Sequence, residues 1–318
     1  MKKVVVIGGG SIIFSTTVMN DLLATPALSD SSFVLVNPTL PRAQRVENYV
    51  KRIIALNGLK ATIRSTTDRR EALQGADFVI TAIKIGGSKA FQADFEIPKK
   101  YGIDVCVGEC VGPGGVFRAL RTIPVMVEIV SDIQEICPKA VVLNYVNPMA
   151  MICMAIAKTS NLAFAGLCHG TQTTLDLISR YVVVKKEEID FLAAGINHMS
   201  WFLKLEKDGK DLYPLFRRNL EKPEYYVNEK VRGEVARHFG YFMTESSGHL
   251  SDYLPWFRKN RDALAQYCDQ PALGGEPGFS YAIQKMMEEK FSTTDFLQYE
   301  SGNLEPAAST TALGSWNH

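Results

Sequence analysis

Four polar side chains stand where an otherwise apolar sequence turns: Asn147 in NYVNPMA, Cys168 and His169 in GLCHGT, and His198 in GINHMSW. A thiolate and an imidazole from Cys168 and His198 can together bind a divalent cation and leave positions open for substrate oxygens and water. A catalytic metal needs that openness, whereas a structural zinc is closed. Each residue also has an ordinary reading. A single cysteine after a strand is usually a small buried hydrophobe, and an isolated histidine a satisfied hydrogen bonder. No C-x-x-C or H-x-x-x-H pair is present. Spacing alone therefore leaves metal site, redox site and core packing open.

An alternation of strands and helices positions these residues. VVVI at residues 4–7 is continuous and β-branched, as in a strand buried on both faces, and it ends in Gly8-Gly9-Gly10-Ser11 before a helical pattern through Leu23. FVLVN predicts a second strand, residues 42–56 a long helix, and ATIRSTTD and DFVITAI further strands around a short helix at DRREALQGA. IDVCVG, RTIPVMVEIVSDIQEIC and AVVLNYVNP repeat strand, helix and strand. Such alternation implies an α/β fold, with a Rossmann-type doubly wound parallel sheet over residues 1–150. Residues 151–305 predict a second, α+β domain. It has helices at MAMICMAIAKTS, TLDLISRYVVV, 224–237 and 281–291, a short strand at FAGLC, and two or three strands across IDFLAAGINHMSWFLKLEKDGKDLYP. Asp208-Gly209 is a hairpin turn within that last stretch. Residues 306–318 read as an irregular tail.

The four polar residues thus fall at or just after strand ends, where open α/β sheets form their ligand crevice. Asn147 precedes a proline and is expected to be extended. The first β–α turn has the context of a dinucleotide fingerprint. Gly8 permits the turn, Gly10 lets amides approach a pyrophosphate, and the helix opening at Ser11 and Ile12 favours negative charge. The third glycine is absent, Ile13 standing in its place, and the second strand ends in Asn37 rather than an acidic residue. Asn37 can still bond a ribose hydroxyl, so NAD and NADP both remain open. A glycine turn in any α/β protein is the plainer alternative.

Composition excludes several classes. A net charge of +1 gives no electrostatic case for nucleic acid or an anionic membrane. The apolar start of MKKVVVIGGGS is too short for a signal peptide, and nothing later is long enough to cross a bilayer. Six scattered cysteines suggest reduced thiols and a cytoplasmic protein.

GPGGVFRALRTIP, NYVNPMA, GLCHG, NHMSWF and TESSGHLSDYLPWFRK, in this order, resemble glycoside hydrolase family 4, and VVVIGGGSIIFS fits that family's cofactor loop. The resemblance spans residues 2–305. It implies an NAD- and divalent-metal-dependent α-glycosidase, with manganese as the usual ion, bound by Cys168 and His198. Most glycosidases flank the bond with two carboxylates, and this family is an exception. Its implied route oxidises the sugar at C3, removes the C2 proton, eliminates the aglycone, adds water and returns the hydride. A metal on the C2 and C3 oxygens stabilises the anion. Asn147 is then expected at the substrate hydroxyls and the cofactor, and His169 as an acid or substrate contact. Cys-His-Gly variants point to α-linked hexosides or α-uronides. The base is expected among Tyr241 and Asp252, with His249 in the same stretch. Arg118 can meet a phosphate or carboxylate, or pair with Glu109 or Glu128 on a helix surface; a site role is preferred.

The family continues past DFLQYESGNLEP, where this sequence has AASTTALGSWNH, so the substrate domain is expected to be shortened. A small sugar is the expected partner, and a homo-oligomer, dimer or tetramer, the expected assembly. Two rival readings are an NAD-dependent 2-hydroxy acid dehydrogenase and a non-catalytic NAD-binding protein.

Overall fold

The computed structural model describes residues 1–268 together with Ala282, Ile283, Lys285 and Met286. Of the helix expected at 281–291 those four residues are described, and they are helical. The expected tail at 306–318 lies outside the described residues. The chain divides into two compact units. The first takes Met1–Ala90 and Phe117–Leu167; the second takes Phe91–Val116 and the described residues from Cys168 to Cys268.

The first unit holds β1 (Lys3–Ile7), α1 (Ile12–Ala24), β2 (Ser32–Val36), α2 (Leu40–Leu56), β3 (Thr62–Thr66), α3 (Arg69–Leu73) and β4 (Phe78–Thr81). It also holds most of α5 (Gly112–Ile136), which follows α4 (Gly87–Lys99), and then β5 (Val141–Asn144), α6 (Met149–Thr159) and β6 (Phe164–Gly166). The strands are parallel in the order β3-β2-β1-β4-β5-β6, the doubly wound arrangement expected from the sequence. Alternate residues of the apolar runs serve opposite faces. Val5, Ile7, Val34 and Val36 pack with Met126, Ile129 and Ile133 of α5, whereas Val4, Val6, Phe33 and Leu35 pack with Met19, Leu23, Val46 and Val50 of α1 and α2. Each such side chain contributes roughly 1.5–3 kcal/mol on full burial. Ile152 and Ile156 of α6 join the first of these cores, and β6 extends the sheet. The unit accordingly reaches Leu167, beyond the boundary at residue 150 drawn from the sequence.

The second unit carries α7 (Gly170–Val182), β7 (Asp190–Ile196), β8 (Met199–Lys207), β9 (Lys210–Asp211), α8 (Tyr213–Leu220), α9 (Pro223–Tyr226), α10 (Lys230–Phe239), β10 (Phe242–Met243) and α11 (Ser247–Leu250). Its sheet is antiparallel, β10-β8-β7 with β9 on β8. Asp208 and Gly209 both take positive φ, 50° and 73°, and make the expected tight hairpin turn. Phe202, Leu205, Phe216, Phe242 and Ile178 fill the core between sheet and helices.

Two expected elements differ. IDVCVG is not a strand. The amides of Cys106, Val107 and Gly108 donate instead to the carboxylate of Asp252, at 2.8, 2.9 and 3.1 Å, so one side chain does what a neighbouring strand would have done. The helix expected at 224–237 is split, because Glu229 between α9 and α10 turns inward to pair with the buried Arg232. Among the described residues no helix is long and apolar enough to cross a membrane.

Candidate metal centre and glycine turn

A hairpin places His198. β7 and β8 are joined through Asn197 and His198 alone, with Ile196 opposite Met199. His198 has φ of 65°, in the left-handed region, which costs a residue with a Cβ about 1–2 kcal/mol. Such strain collects at functional sites, where it aims a side chain that relaxed backbone would turn away. Gly195 just before it has φ of 144°, and a Cβ there would stand 2.3 Å from the Met199 carbonyl oxygen.

Register delivers Glu245. Phe242 and Met243 pair with Phe202 and Trp201, and the Thr244 amide donates to the Ser200 carbonyl at 3.0 Å. The next residue therefore arrives beside the start of β8. Thr174 of α7 donates to the Thr244 carbonyl at 2.7 Å, which ties the helix following Cys168 to the same segment. Arg232 reinforces it: Nη1 donates to Thr174 Oγ1 (2.9 Å) and to the Glu245 carbonyl (3.1 Å).

These elements converge on one cluster. Cys168 Sγ lies 3.4 Å from His198 Nε2, Glu245 Oε2 lies 3.5 Å from that nitrogen, and the three donor atoms are within 4.8 Å of one another. His198 Nδ1 meets the Tyr253 hydroxyl at 2.8 Å, a bond on the far nitrogen that orients the ring and leaves Nε2 as the ligand. His249 stands beside them, its ring centroid 4.3 Å from that of His198 and its Nδ1 3.5 Å from Glu245 Oε2. Among the described residues His249 Nε2 is buried and has no hydrogen-bond partner.

The electrostatics suit a cation. Burial, aided by His249, pushes His198 down to about 4, so its imidazole is neutral with a lone pair to give. Burial pushes Glu245 up, but His249, His198 and the Ser246 amide outweigh it and hold the carboxyl well below its usual range. Burial and then the Glu245 charge push the Cys168 thiol up, so a thiolate there needs a cation beside it. Sulfur, nitrogen and carboxylate oxygen donors in one small volume fit a divalent ion with positions left open.

The remaining expected residues are distributed as follows. His169 is exposed, immediately before α7, in the same unit as the cluster. Tyr241 is 42% exposed and meets the Tyr213 ring edge-on at 5.9 Å. The Asp252 carboxylate is fully covered, accepts the three amides named above and lies 3.6 Å from Arg258 Nε. Its lone pairs are committed to holding a loop, which leaves it unsuited to proton abstraction. In the first unit Arg118 is buried and its Nε donates to the Asn147 carbonyl at 3.2 Å, bringing those two expected residues together. Sequence reasoning missed Glu245. Its one signal was membership of the TESSGH segment, which places Glu245 four residues before His249.

The glycine turn follows β1. Gly8 has φ of 98°, and a Cβ there would lie 2.2 Å from the Ala82 carbonyl oxygen; one on Gly10 would lie 2.5 Å from Asn37 Nδ2. Asn37 Oδ1 accepts the Thr39 amide at 2.8 Å. Ser11 is exposed at the N-cap of α1 and its side chain makes no capping bond, so the first amides of the helix stay available to an anion. A cradle that glycine alone keeps open, at a helix N-terminus beside an amide side chain, fits a dinucleotide.

Sheet order, glycine turn and donor cluster define a Rossmann-type α/β protein with a site suited to a divalent cation. The chain belongs to glycosyl hydrolase family 4: residues 3–184 match the Family 4 glycosyl hydrolase model and residues 193–310 that of its C-terminal domain. It is 37% identical to an α-galactosidase of Rhizobium meliloti (strain 1021), over 87% of this chain and 57% of that protein. It is 42% identical to an α-galactosidase of Bacillus subtilis (strain 168), over 81% and 60%. With an α-galacturonidase of Thermoanaerobacter italicus it shares 33% identity, over 83% and 62%. The chain thus spans about three-fifths of the length of these curated relatives. Among solved structures, lplD from Bacillus subtilis has the same fold, with a TM-score of 0.82 at 24% identity, over 98% of this chain and 75% of that one. So does a 6-phospho-beta glucosidase from Thermotoga maritima solved with manganese, NAD+ and glucose-6-phosphate, at 0.75 and 21%, over 98% and 71%.

Proposed function

We propose that the chain hydrolyses α-glycosidic bonds of a galactose-type sugar, an α-galactoside or α-galacturonide, with NAD+ and a divalent metal such as Mn2+ as its resident groups. The observation that carries this reading is the convergence of Cys168, His198 and Glu245 in a family 4 chain. The names of its curated relatives support the sugar, and the glycine cradle supports the nucleotide. Its setting, on this reading, is the cytoplasm and its partner a small sugar.

When bound, the metal supplies a Lewis acid to adjacent sugar oxygens and the nicotinamide a reversible hydride acceptor. The chain's own residues do the rest. Cys168, His198 and Glu245 hold the cation. Gly8, Gly10, Ser11 and Ile12 present amides to a pyrophosphate, and Asn37 an amide side chain to a ribose hydroxyl. Asn147, its carbonyl held by Arg118, and the exposed His169 orient the sugar. His249, with Nδ1 turned to Glu245 and Nε2 unpaired, replaces Tyr241 and Asp252 as the group placed to take and return a proton.

The test is hydrolysis of nitrophenyl α-galactoside and α-galacturonide with NAD+, Mn2+ and reductant added singly and together. Turnover is expected to need all three, and the sugar C2 proton to exchange with solvent deuterium. Full rate after removal of metal and nucleotide would overturn the proposal. Net NADH formation from a 2-hydroxy acid, indifferent to chelator, would favour the dehydrogenase instead.

A further inference from the structure

A second set of donors lies against the first. Cys110 Sγ and ring nitrogens of His198 and His249 are no farther than 4.8 Å from one another. Cys110 is buried, two residues beyond the loop that Asp252 holds through three amides. His249 turns Nδ1 toward Glu245, which leaves the opposite nitrogen, Nε2, buried without a partner among the described residues. A buried polar atom left so costs about 1–3 kcal/mol, and an ion is one of the few things that can satisfy it. The Tyr253 hydroxyl bonds His198 Nδ1 at 2.8 Å and also touches the Cys110 thiol, so one residue braces two of the three donors.

We infer that Cys110, His198 and His249 form a second cation position, overlapping the first through His198 and selective for thiophilic divalent ions such as zinc. The donor sets decide the selectivity. Sulfur with two imidazoles is softer than sulfur, imidazole and carboxylate; thiolate and imidazole suit zinc, and carboxylate oxygen suits manganese. Zinc bonds of about 2.3 Å to sulfur and about 2.0–2.1 Å to nitrogen place tetrahedral donors roughly 3.5 Å apart, so closure here needs shifts of about an ångström. Binding releases the Cys110 thiol proton to solvent and leaves the fourth position to water. An ion held there engages the His198 ring that the first position uses and the His249 ring assigned to proton transfer. The binding itself rests on the proposed catalytic centre only through the shared His198; the inhibition that follows rests on that centre being the active one.

Cobalt is the probe, because a thiolate ligand gives it a near-ultraviolet charge-transfer band and tetrahedral donors give it strong visible bands. The full chain carrying Cys168→Ser, kept reduced, is titrated with Co2+ alone. Both bands are expected in that variant and their loss in Cys168→Ser/Cys110→Ser. In Cys168→Ser/His249→Gln the cobalt affinity should drop at least about 10–100-fold, the range lost with a ligand's outer-shell partner. Absence of the bands in Cys168→Ser, or their survival in the double cysteine variant, overturns the inference. Zinc should also protect Cys110 from alkylation in Cys168→Ser, read by mass spectrometry; unprotected labelling at zinc saturation counts against it, whether or not the double variants fold. Cobalt–thiolate bands in Cys110→Ser report the first position separately, so failure of one assignment is distinguishable from failure of the other.

Discussion

Two carboxylates seven residues apart, Glu245 and Asp252, have opposite tasks, and their surroundings say which is which. Asp252 accepts three amides beside Arg258, whereas Glu245 accepts one amide, from Ser246, and faces two imidazoles. Asp252→Asn should therefore lower unfolding free energy by about 1–3 kcal/mol, the cost of spoiling buried hydrogen bonds, as read by urea denaturation. Loss of a catalytic base would instead lower kcat about 10²–10⁴-fold with stability intact, and that result would restore Asp252 to the chemistry. Glu245→Gln should weaken Mn2+ binding about 10–100-fold by titration calorimetry, and unchanged affinity would remove it from the centre. Residue type and spacing left metal, redox and packing readings open for Cys168 and His198, and it was the family resemblance that named them as ligands. Glu245 was not legible, because nothing in the spacing of TESSGH reveals that a two-residue strand, β10, seats it beside β8.

At the scale of elements, short helices are held by charge where they lack length. α3 has five residues and is capped at its start by Asp68, which accepts the Glu71 amide at 2.9 Å. Arg69 and Arg70 then fasten it to α5 through Asp132, Arg69 Nε donating at 2.7 Å. Burial raises the Asp132 carboxyl, but the two guanidinium groups outweigh it and hold it below its usual 3.8. A carboxylate depressed on folding contributes stability that is fully present above the unfolded value and lost as pH falls through the folded one. Asp132→Asn should thus destabilise at pH 7, and the gap from the parent chain should begin to narrow as pH falls to about 3.8, where the unfolded carboxyl protonates first, and close only once the folded carboxyl protonates as well. A gap independent of pH, in denaturation series run from neutral to acid, would show that packing and not charge carries the contact. The same scale explains what the sequence concealed. Of the parallel strands, β3 (TIRST) and the three-residue β6 carry no apolar run and follow from their place in the strand–helix alternation, whereas β1, β2, β4 and β5 were readable as apolar runs. IDVCVG has the same pattern yet forms no strand, since a distant aspartate satisfies its amides, and no local pattern encodes a partner 146 residues away.

Taken whole, the chain divides its labour between units with separate cores. The glycine turn belongs to the first and the donor cluster to the second, so the nucleotide turn and the cation donors each draw on residues of one unit. Gly10 tests the division. A methyl group there would press chiefly on the Asn37 amide at 2.5 Å, the end of a side chain that can yield, with Arg42 Cβ at 3.0 Å, whereas at Gly8 it would strike backbone. Gly10→Ala should consequently keep its fold but displace Asn37, weakening NAD+ binding about tenfold, or 1.4 kcal/mol. Its Co2+ or Mn2+ affinity, set by Cys168, His198 and Glu245, should stay at the parent value. Cys168→Ser should do the reverse, losing manganese affinity while NAD+ titrates as before, and in both variants glycoside hydrolysis should fall because the proposed reaction needs both ligands. Loss of metal affinity in Gly10→Ala, with circular dichroism unchanged, would mean that the two sites are energetically coupled and that the nucleotide turn helps build the cation centre.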